Sequence, residues 1–385
     1  MEEITATLPD FDVVRSLFLM RSDEVPKKER SEVQAQLFET IKSSKLLGLY
    51  KLFCEKTAHT IEPAVEKELT SYTEAELAKF DADITKTEEN FGAVEVKNVL
   101  LTKADFCMRS GLKTEAVATL EVAYKKTVGS GMKIDNLLSR ARLGFFFEDY
   151  ALAKTSIESA EVELEKGGDW ERKNRLLVYR AVLHLTRREF RPSAELFVKT
   201  LATFTSTELL SFKEFIFYSV ITSMASLERS TVKAKVLYSP EVLSIIQEIP
   251  GLSDFITSLY ESRYSDFFAA FVIVIAQIKR DRFLAPHLRY LTRTLRLVAF
   301  TQFLTSFKSV TIGTMATAFG VSTDLIDREI SGFIAAGVLH CKIDRVAGVI
   351  ESRARDDRNA VYAKVMRQGD VMLNKMQKLA KVIDM

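Results

Sequence analysis

The sequence predicts a mainly α fold: a right-handed helical-repeat solenoid, then a winged helix with a small β-hairpin, then a C-terminal helix for a bundle. Three observations carry the expectation. Apolar residues recur at three- and four-residue spacing along most of the 385 residues, and seven prolines with fifteen glycines are too few for the turns of an all-β chain. Within FIAAGVLHCKIDRVAGVIES, Phe333 to Ser352, the hydrophobic rhythm drops from a helical period to alternation.

In the first region, residues 1–95, RSEVQAQLFETIKSSKLLGLYKLFCEK spaces Val33, Leu37, Ile41, Leu46, Leu49 and Leu52 as a helical face, broken near Pro63. Thr73 and Glu76 stand as N-cap and N3 of a capping box, which predicts a fresh, solvated helix there. Residues 96–205 carry a loose repeat, in which Leu112, Tyr150 and Phe190 each follow a polar turn and are followed in turn by Ala116, Ala153 and Ala194. The steps are 38 and 40 residues, somewhat longer than the ~34 of tetratricopeptide repeats. Small residues after a turn let paired helices approach closely, and pairs that cannot bury their apolar faces alone must stack. Ala234 and Ala269 echo the pattern more faintly.

The longest apolar run, Phe267 to Ala276, is about half of what crosses a bilayer and predicts a buried helix. From Pro286 a further helix sets Leu288, Leu291, Leu295 and Val298 on one face. Arg289, Arg293 and Arg296 form a stripe on another, suited to solvent, to phosphate or to an acidic partner. SVTIGTMATAFG then predicts a short helix ending at Gly320. VSTDLIDREISGFIAAG predicts a second, capped by Ser322 or Thr323, stopped at Gly337 and buried through Ile326, Ile330, Phe333 and Ile334. Leu339, Cys341 and Ile343 alternate with His340, Lys342 and Asp344, and GVIES returns after a turn at Asp344 to Ala347.

Three helices and a hairpin make a winged helix. Its third helix exposes Asp324, Asp327 and Glu329 against Arg328, a face that repels phosphate, so nucleic acid is not the expected partner. A two-stranded wing instead leaves an unpaired backbone edge for another chain. After the charged linker SRARDDRN, the tail places Tyr362, Val365, Gly369, Met372, Met376, Leu379 and Ile383 at alternating three- and four-residue steps, the seam of a bundle helix. Gly369 weakens a helix by ~1 kcal/mol relative to alanine, which allows an interruption with Asp370 as a new N-cap.

Helical repeats ending in a winged helix and a terminal helix are the layout of PCI proteins. LYESRYSDFF, LAPHLRYLTRTLR, MATAFGVSTDLIDREISGFIAAGVLHCKIDRV and GDVMLNKMQKLAKVID closely resemble the 26S proteasome non-ATPase regulatory subunit 6 family, from about Leu259 to the C-terminus. The resemblance implies a non-catalytic scaffold, with residues 206–299 as the helical part of a PCI domain, 300–355 as its winged helix and 356–385 as an inter-subunit bundle helix. It places Leu339, Cys341, Ile343, Val349 and Ile350 on or behind a docking edge, and Tyr362, Val365, Met372, Met376, Leu379 and Ile383 in the bundle. The implied partners are other PCI subunits of the proteasome lid and the ATPase ring, in cytoplasm and nucleus. The signalosome paralogue shares this layout and is the alternative within the class; outside it the alternative is a nucleic-acid-binding winged-helix protein, acting through the stripe of Arg289, Arg293 and Arg296.

Composition and motifs exclude other classes. Lys plus Arg total 54 against 52 Asp plus Glu, so no global field draws in nucleic acid or an anionic membrane. The acidic N-terminus has no basic and apolar signal pattern, and Cys54, Cys107 and Cys341 are an odd, scattered set read as small buried apolar groups in a reducing compartment. His59, His184, His287 and His340 are equally scattered, so no metal, cofactor or catalytic constellation is expected. Gly129 to Lys133 is too short for a phosphate-binding loop, and the His-x-His pattern of a lid deubiquitinase is absent.

Overall fold

A computed structural model describes residues 8–22, 26–57, 62–90, 92–352 and 357–383. Two compact units divide the chain, one of Met1–Glu261 with Asp266–Leu295, the other of Ser262–Ser265 with Arg296–Met385. His59, and residues 353–356 of the charged linker, lie outside the described residues.

The first unit begins with α1 (Phe11–Arg21), α2 (Lys27–Ser43), α3 (Leu47–Thr57) and α4 (Pro63–Asn90). Asp10 caps α1 by accepting from the Asp12 amide at 2.9 Å, and Pro63 opens α4 where its missing N–H costs nothing. The expected break at Thr73 and Glu76 does not occur. Thr73 lies inside α4 and its hydroxyl donates to the Leu69 carbonyl at 2.8 Å, the usual settlement for a threonine in mid-helix. A capping pattern is local, and the proline ten residues earlier had already supplied the start.

The expected repeat is present as three helical hairpins: α5 (Ala93–Ser110) with α6 (Lys113–Lys126), α7 (Ser130–Phe146) with α8 (Tyr150–Gly167), and α9 (Trp170–Thr186) with α10 (Phe190–Thr200). Each turn closes identically. Leu112 donates to the Cys107 carbonyl, Asp149 to Gly144 and Glu189 to His184, at 2.8 to 2.9 Å, and the residue before each donor is left-handed: Gly111, Glu148 and Arg188, with φ 78°, 60° and 65°. Ala116, Ala153 and Ala194 are fully buried. At the α7–α8 turn a Cβ on Gly144 would lie 2.7 Å from the Ala153 nitrogen, so that hairpin closes only because both residues are small. Asp135 on α7 receives Arg172 at 2.8 Å and Arg175 at 3.1 Å from α9, which ties successive hairpins together.

Beyond the repeat come α11 (Phe212–Ser226), α12 (Arg229–Val232), α13 (Pro240–Ile245), α14 (Leu252–Tyr260), α15 (Tyr264–Arg280) and α16 (Leu288–Thr305). Ser211 and Glu214 form a true capping box on α11. The echo at Ala234 and Ala269 is not a repeat, since both are exposed, Ala234 within a wide turn after α12 and Ala269 on α15. Helices of similar length reproduce the spacing without the buried contact. The apolar run of α15 buries Phe267, Ala270, Phe271 and Val274 but leaves Val272 and Ile273 outward. Among the described residues no helix is long and apolar enough to cross a membrane.

The second unit is a winged helix. The part of α16 from Arg296 to Thr305 leads to β1 (Ser309–Thr311), α17 (Ile312–Phe319), α18 (Thr323–Ala335), β2 (Cys341–Asp344) and β3 (Val349–Ser352), and α19 (Asp357–Ile383) follows. An aromatic cluster makes its core: Phe319 stacks on Tyr264 at 4.7 Å and meets Phe300 and Phe303 edge-on at 5.0 and 5.4 Å. The strand β1 was not expected, because three residues are too few to show alternation. It pairs antiparallel with β3, Val310 opposite Ile350, and turns the hairpin into a sheet of order β1-β3-β2.

Candidate docking surfaces

Strand order decides which backbone is free to pair. Because β3 lies between β1 and β2, its ladder is filled on both sides, with Ile350 opposite Ile343 as well as Val310. Val349 and Ile350 therefore support the sheet and do not themselves form an edge. The edges are β1 and β2, and β2 is the one that carries the alternating residues. Leu339 and Cys341 point inward and are buried, Ile343 is half-buried, and Lys342 and Asp344 are exposed. The turn that presents this edge is fixed by Asp344, whose Oδ1 accepts from the Val346 and Ala347 amides at 2.9 and 3.2 Å.

Beside β2 lies a cavity of about 570 Å³ lined by residues that include Leu304, Phe307, Lys308, Val338, His340 and Cys341. Phe307 and Val338 are about half exposed at its rim. A strand added to β2 would run past an apolar recess able to take a side chain, which supplies selectivity beyond backbone pairing.

Of the outward acids of α18, Asp327 and Glu329 are tied down. Asp327 accepts from Arg345 of the wing at 2.8 Å, and Glu329 from Arg296 at 2.8 Å. Arg296 is thus half-buried against α18, which removes one member from the expected arginine stripe, while Arg289 and Arg293 remain exposed on α16.

α19 runs unbroken through Gly369 and Asp370 for 27 residues, about 40 Å at the helical rise. The expected interruption fails because one glycine costs only ~1 kcal/mol against a long run of good helix formers. From Val361 to Ile383 every side chain is exposed, and Tyr362, Val365, Met372, Met376, Leu379 and Ile383 expose between 58% and 74% of their surface. Val361, Met366 and Leu373 widen the seam beyond a two-residue heptad stripe, as in a helix that meets more than one neighbour.

Reactive chemistry is not assembled at these surfaces. Among the described residues no group of three or more His, Cys, Asp or Glu could hold a metal ion. Cys54, Cys107 and Cys341 are free and buried, and burial pushes the thiols of Cys107 and Cys341 up to about 11, so both are protonated at neutral pH. His184 pairs with Glu189, and His287 meets the Thr186 carbonyl at 3.2 Å, with burial lowering its pKa.

The comparisons with known proteins agree along the chain. A family profile described as "26S proteasome subunit RPN7" matches residues 62–235, "PCI domain" matches 275–354, and "26S proteasome regulatory subunit RPN7/PSMD6 C-terminal helix" matches 362–383. The 26S proteasome non-ATPase regulatory subunit 6 homolog of Arabidopsis thaliana is 42% identical over 377 residues, 98% of this chain and 97% of that protein. The 26S proteasome regulatory subunit RPN7 of Saccharomyces cerevisiae is 32% identical over 401 residues, 98% of this chain and 94% of that protein. COP9 signalosome complex subunit 1b of Drosophila melanogaster is 22% identical over 327 residues, 80% of this chain and 62% of that protein.

Proposed function

The chain belongs to the 26S proteasome non-ATPase regulatory subunit 6 family, and from that premise we infer that its work is done by surfaces and not by a reactive centre. It is a scaffold subunit of the regulatory-particle lid, assembled with other subunits to support ATP- and ubiquitin-dependent degradation. The observation that carries this reading is α19, a long helix whose apolar seam, from Tyr362 to Ile383, is exposed among the described residues. Burying six such side chains releases on the order of 10 kcal/mol before the costs of association, a driving force of the same size as those costs.

The finer assignment follows from the same surfaces. The β2 edge, with Leu339, Cys341 and Ile343 and backed by Val349 and Ile350, receives a strand from a neighbouring PCI subunit. Tyr362, Val365, Met372, Met376, Leu379 and Ile383 enter the helical bundle, and the chain's further partner in the complex is the ATPase ring. The chain carries out no catalysis, takes no cofactor, and works in cytoplasm and nucleus with neither nucleic acid nor membrane as partner.

The test is affinity purification of the chain at native level from its own cells, with mass spectrometry and a peptidase assay on the eluate. Lid subunits, ATPases and core particle with peptidase activity are expected, and deletion of 357–385 is expected to remove them. Recovery of signalosome subunits in their place would overturn the assignment and leave the fold intact.

A further inference from the structure

Three exposed side chains recur with the hairpins. Val94, Met132 and Trp170 stand at steps of 38 residues, and each lies in the first turn of the leading helix of its hairpin, α5, α7 and α9. A repeat ordinarily reproduces burial, yet these three keep between 55% and 64% of their surface in solvent. The helix starts that carry them adjoin. Lys97 of α5 reaches Met132 of α7, Nζ to Sδ at 3.0 Å, the Ser130 hydroxyl of α7 donates to the Gly167 carbonyl at the end of α8, and a Cβ on Gly131 would lie 3.0 Å from the guanidinium carbon of Arg172 on α9. Single exposed apolar residues are ordinary, but a row of them across three adjoining elements is a patch.

Lys97 is the unusual member. It is only 7% exposed, yet among the described residues its ammonium pairs with no carboxylate and its hydrogen-bond partner is the Met132 thioether. An ammonium has three N–H donors and a thioether is a weak acceptor, so a cation lies beneath the row with hydrogen bonds left to make. Acids close by are engaged elsewhere, Asp135 with Arg172 and Arg175, and Glu163 with Lys166 and the Tyr124 hydroxyl. A surface that is apolar outside and cationic beneath fits apolar side chains flanking one carboxylate. Packed helices lie about 8–10 Å apart, and seven residues of α-helix advance about 10.5 Å. One helix laid across the three helix starts therefore sets every seventh side chain on successive members of the row.

We propose that Val94, Met132 and Trp170 dock an amphipathic helix of a neighbouring chain, apolar at i, i+7 and i+14 and carrying a carboxylate that meets Lys97 beside Met132. The row involves neither α19 nor the β2 edge, so its failure and theirs are separable.

Trp170 is the only tryptophan of the chain, so its emission reports on this row. Fluorescence titration of the full chain with a tryptophan-free stapled helical peptide, leucine at i, i+7 and i+14 and glutamate at i+4, tests the proposal. The expected result is a saturable shift to shorter wavelength as the indole leaves water, with binding at least about tenfold weaker when lysine replaces the glutamate or the sequence is scrambled. Lys97→Met keeps the buried stem without the ammonium and is expected to bind the glutamate and lysine peptides alike. Met132→Asp is expected to weaken the glutamate peptide by about tenfold, with circular dichroism showing that both variants remain folded. Because Met132 is exposed, its variant keeps the test open even if Lys97→Met unfolds the chain. Absence of a saturable shift, equal affinity for the three peptides, or a preference for glutamate that survives Lys97→Met would each overturn the proposal. A shift that grows with chain concentration in the absence of peptide would assign the row to a second copy of the chain, and would overturn it as well.

Discussion

Gly111 combines two constraints at one position. Its φ of 78° disfavours any L side chain, and a Cβ there would sit 2.8 Å from the Leu49 nitrogen. Gly48 answers it from α3, where an added Cβ would lie 2.3 Å from the Gly111 oxygen, so two backbones touch. Gly111→Ala is expected to lower unfolding free energy by about 2 to 4 kcal/mol, strain and overpacking combined, measured by urea denaturation; a loss under about 0.5 kcal/mol, the range of ordinary surface changes, would mean the contact relaxes. Asp281 shows the opposite economy. Its Oδ1 accepts from the amides of Phe283 and Leu284 at 2.9 and 2.8 Å and its Oδ2 from the Tyr218 hydroxyl at 2.5 Å, yet burial outweighs these bonds and raises its pKa from 3.8 to about 6. With the folded value above the unfolded one, the site contributes fully below pH 3.8 and loses that contribution as pH rises through about 6. Asn can keep the two amide contacts through its Oδ1 and meet the Tyr218 oxygen with its side-chain NH2 as the donor, without titrating. Asp281→Asn is therefore expected to gain stability relative to the parent between pH 4 and pH 7 in parallel urea titrations, and a constant difference would contradict the raised pKa. Neither residue announces itself in the sequence, because a left-handed turn or a buried carboxylate depends on what packs over it.

Among elements, the helical hairpins were the most legible. Leu112, Tyr150 and Phe190 mark their second helices and Ala116, Ala153 and Ala194 the close contacts, because burial of a small residue recurs wherever the same contact recurs. Glu148 and Arg188 show why turn positions were harder to read. Both are left-handed without being glycine, so the backbone hydrogen bond at the turn, and not the residue type, fixes the geometry. The seam of α19 was legible for the same periodic reason, whereas its continuity through Gly369 was not, since propensity sets a cost and the whole helix decides whether the cost is met. Met372→Asp with Leu379→Asp places two charges on this seam. Because both residues are exposed in the isolated chain, its stability is expected to change by less than about 1 kcal/mol while incorporation into the complex is lost. Normal incorporation on native gels would remove α19 from the bundle; a large stability loss would mean that it packs on its own chain.

At the scale of the whole molecule, an exposed apolar helix and an unpaired strand edge make the isolated chain prone to self-association. Sedimentation velocity is expected to show oligomers that grow with concentration, and the doubly substituted α19 variant is expected to shift toward monomer; a chain that stays monomeric throughout would argue that these surfaces are covered. The sequence by itself determined the helical class, the repeat, the wing and the terminal seam, because each rests on a period set by local backbone geometry and survives in any packing. Tertiary structure alone decided that β1 joins the sheet and makes β3 its centre, that Arg296 turns to Glu329, and that Arg282 is buried beside Glu148 with an N–H unmet. Those facts depend on residues far apart in the chain meeting in space, and no local period records where such meetings fall.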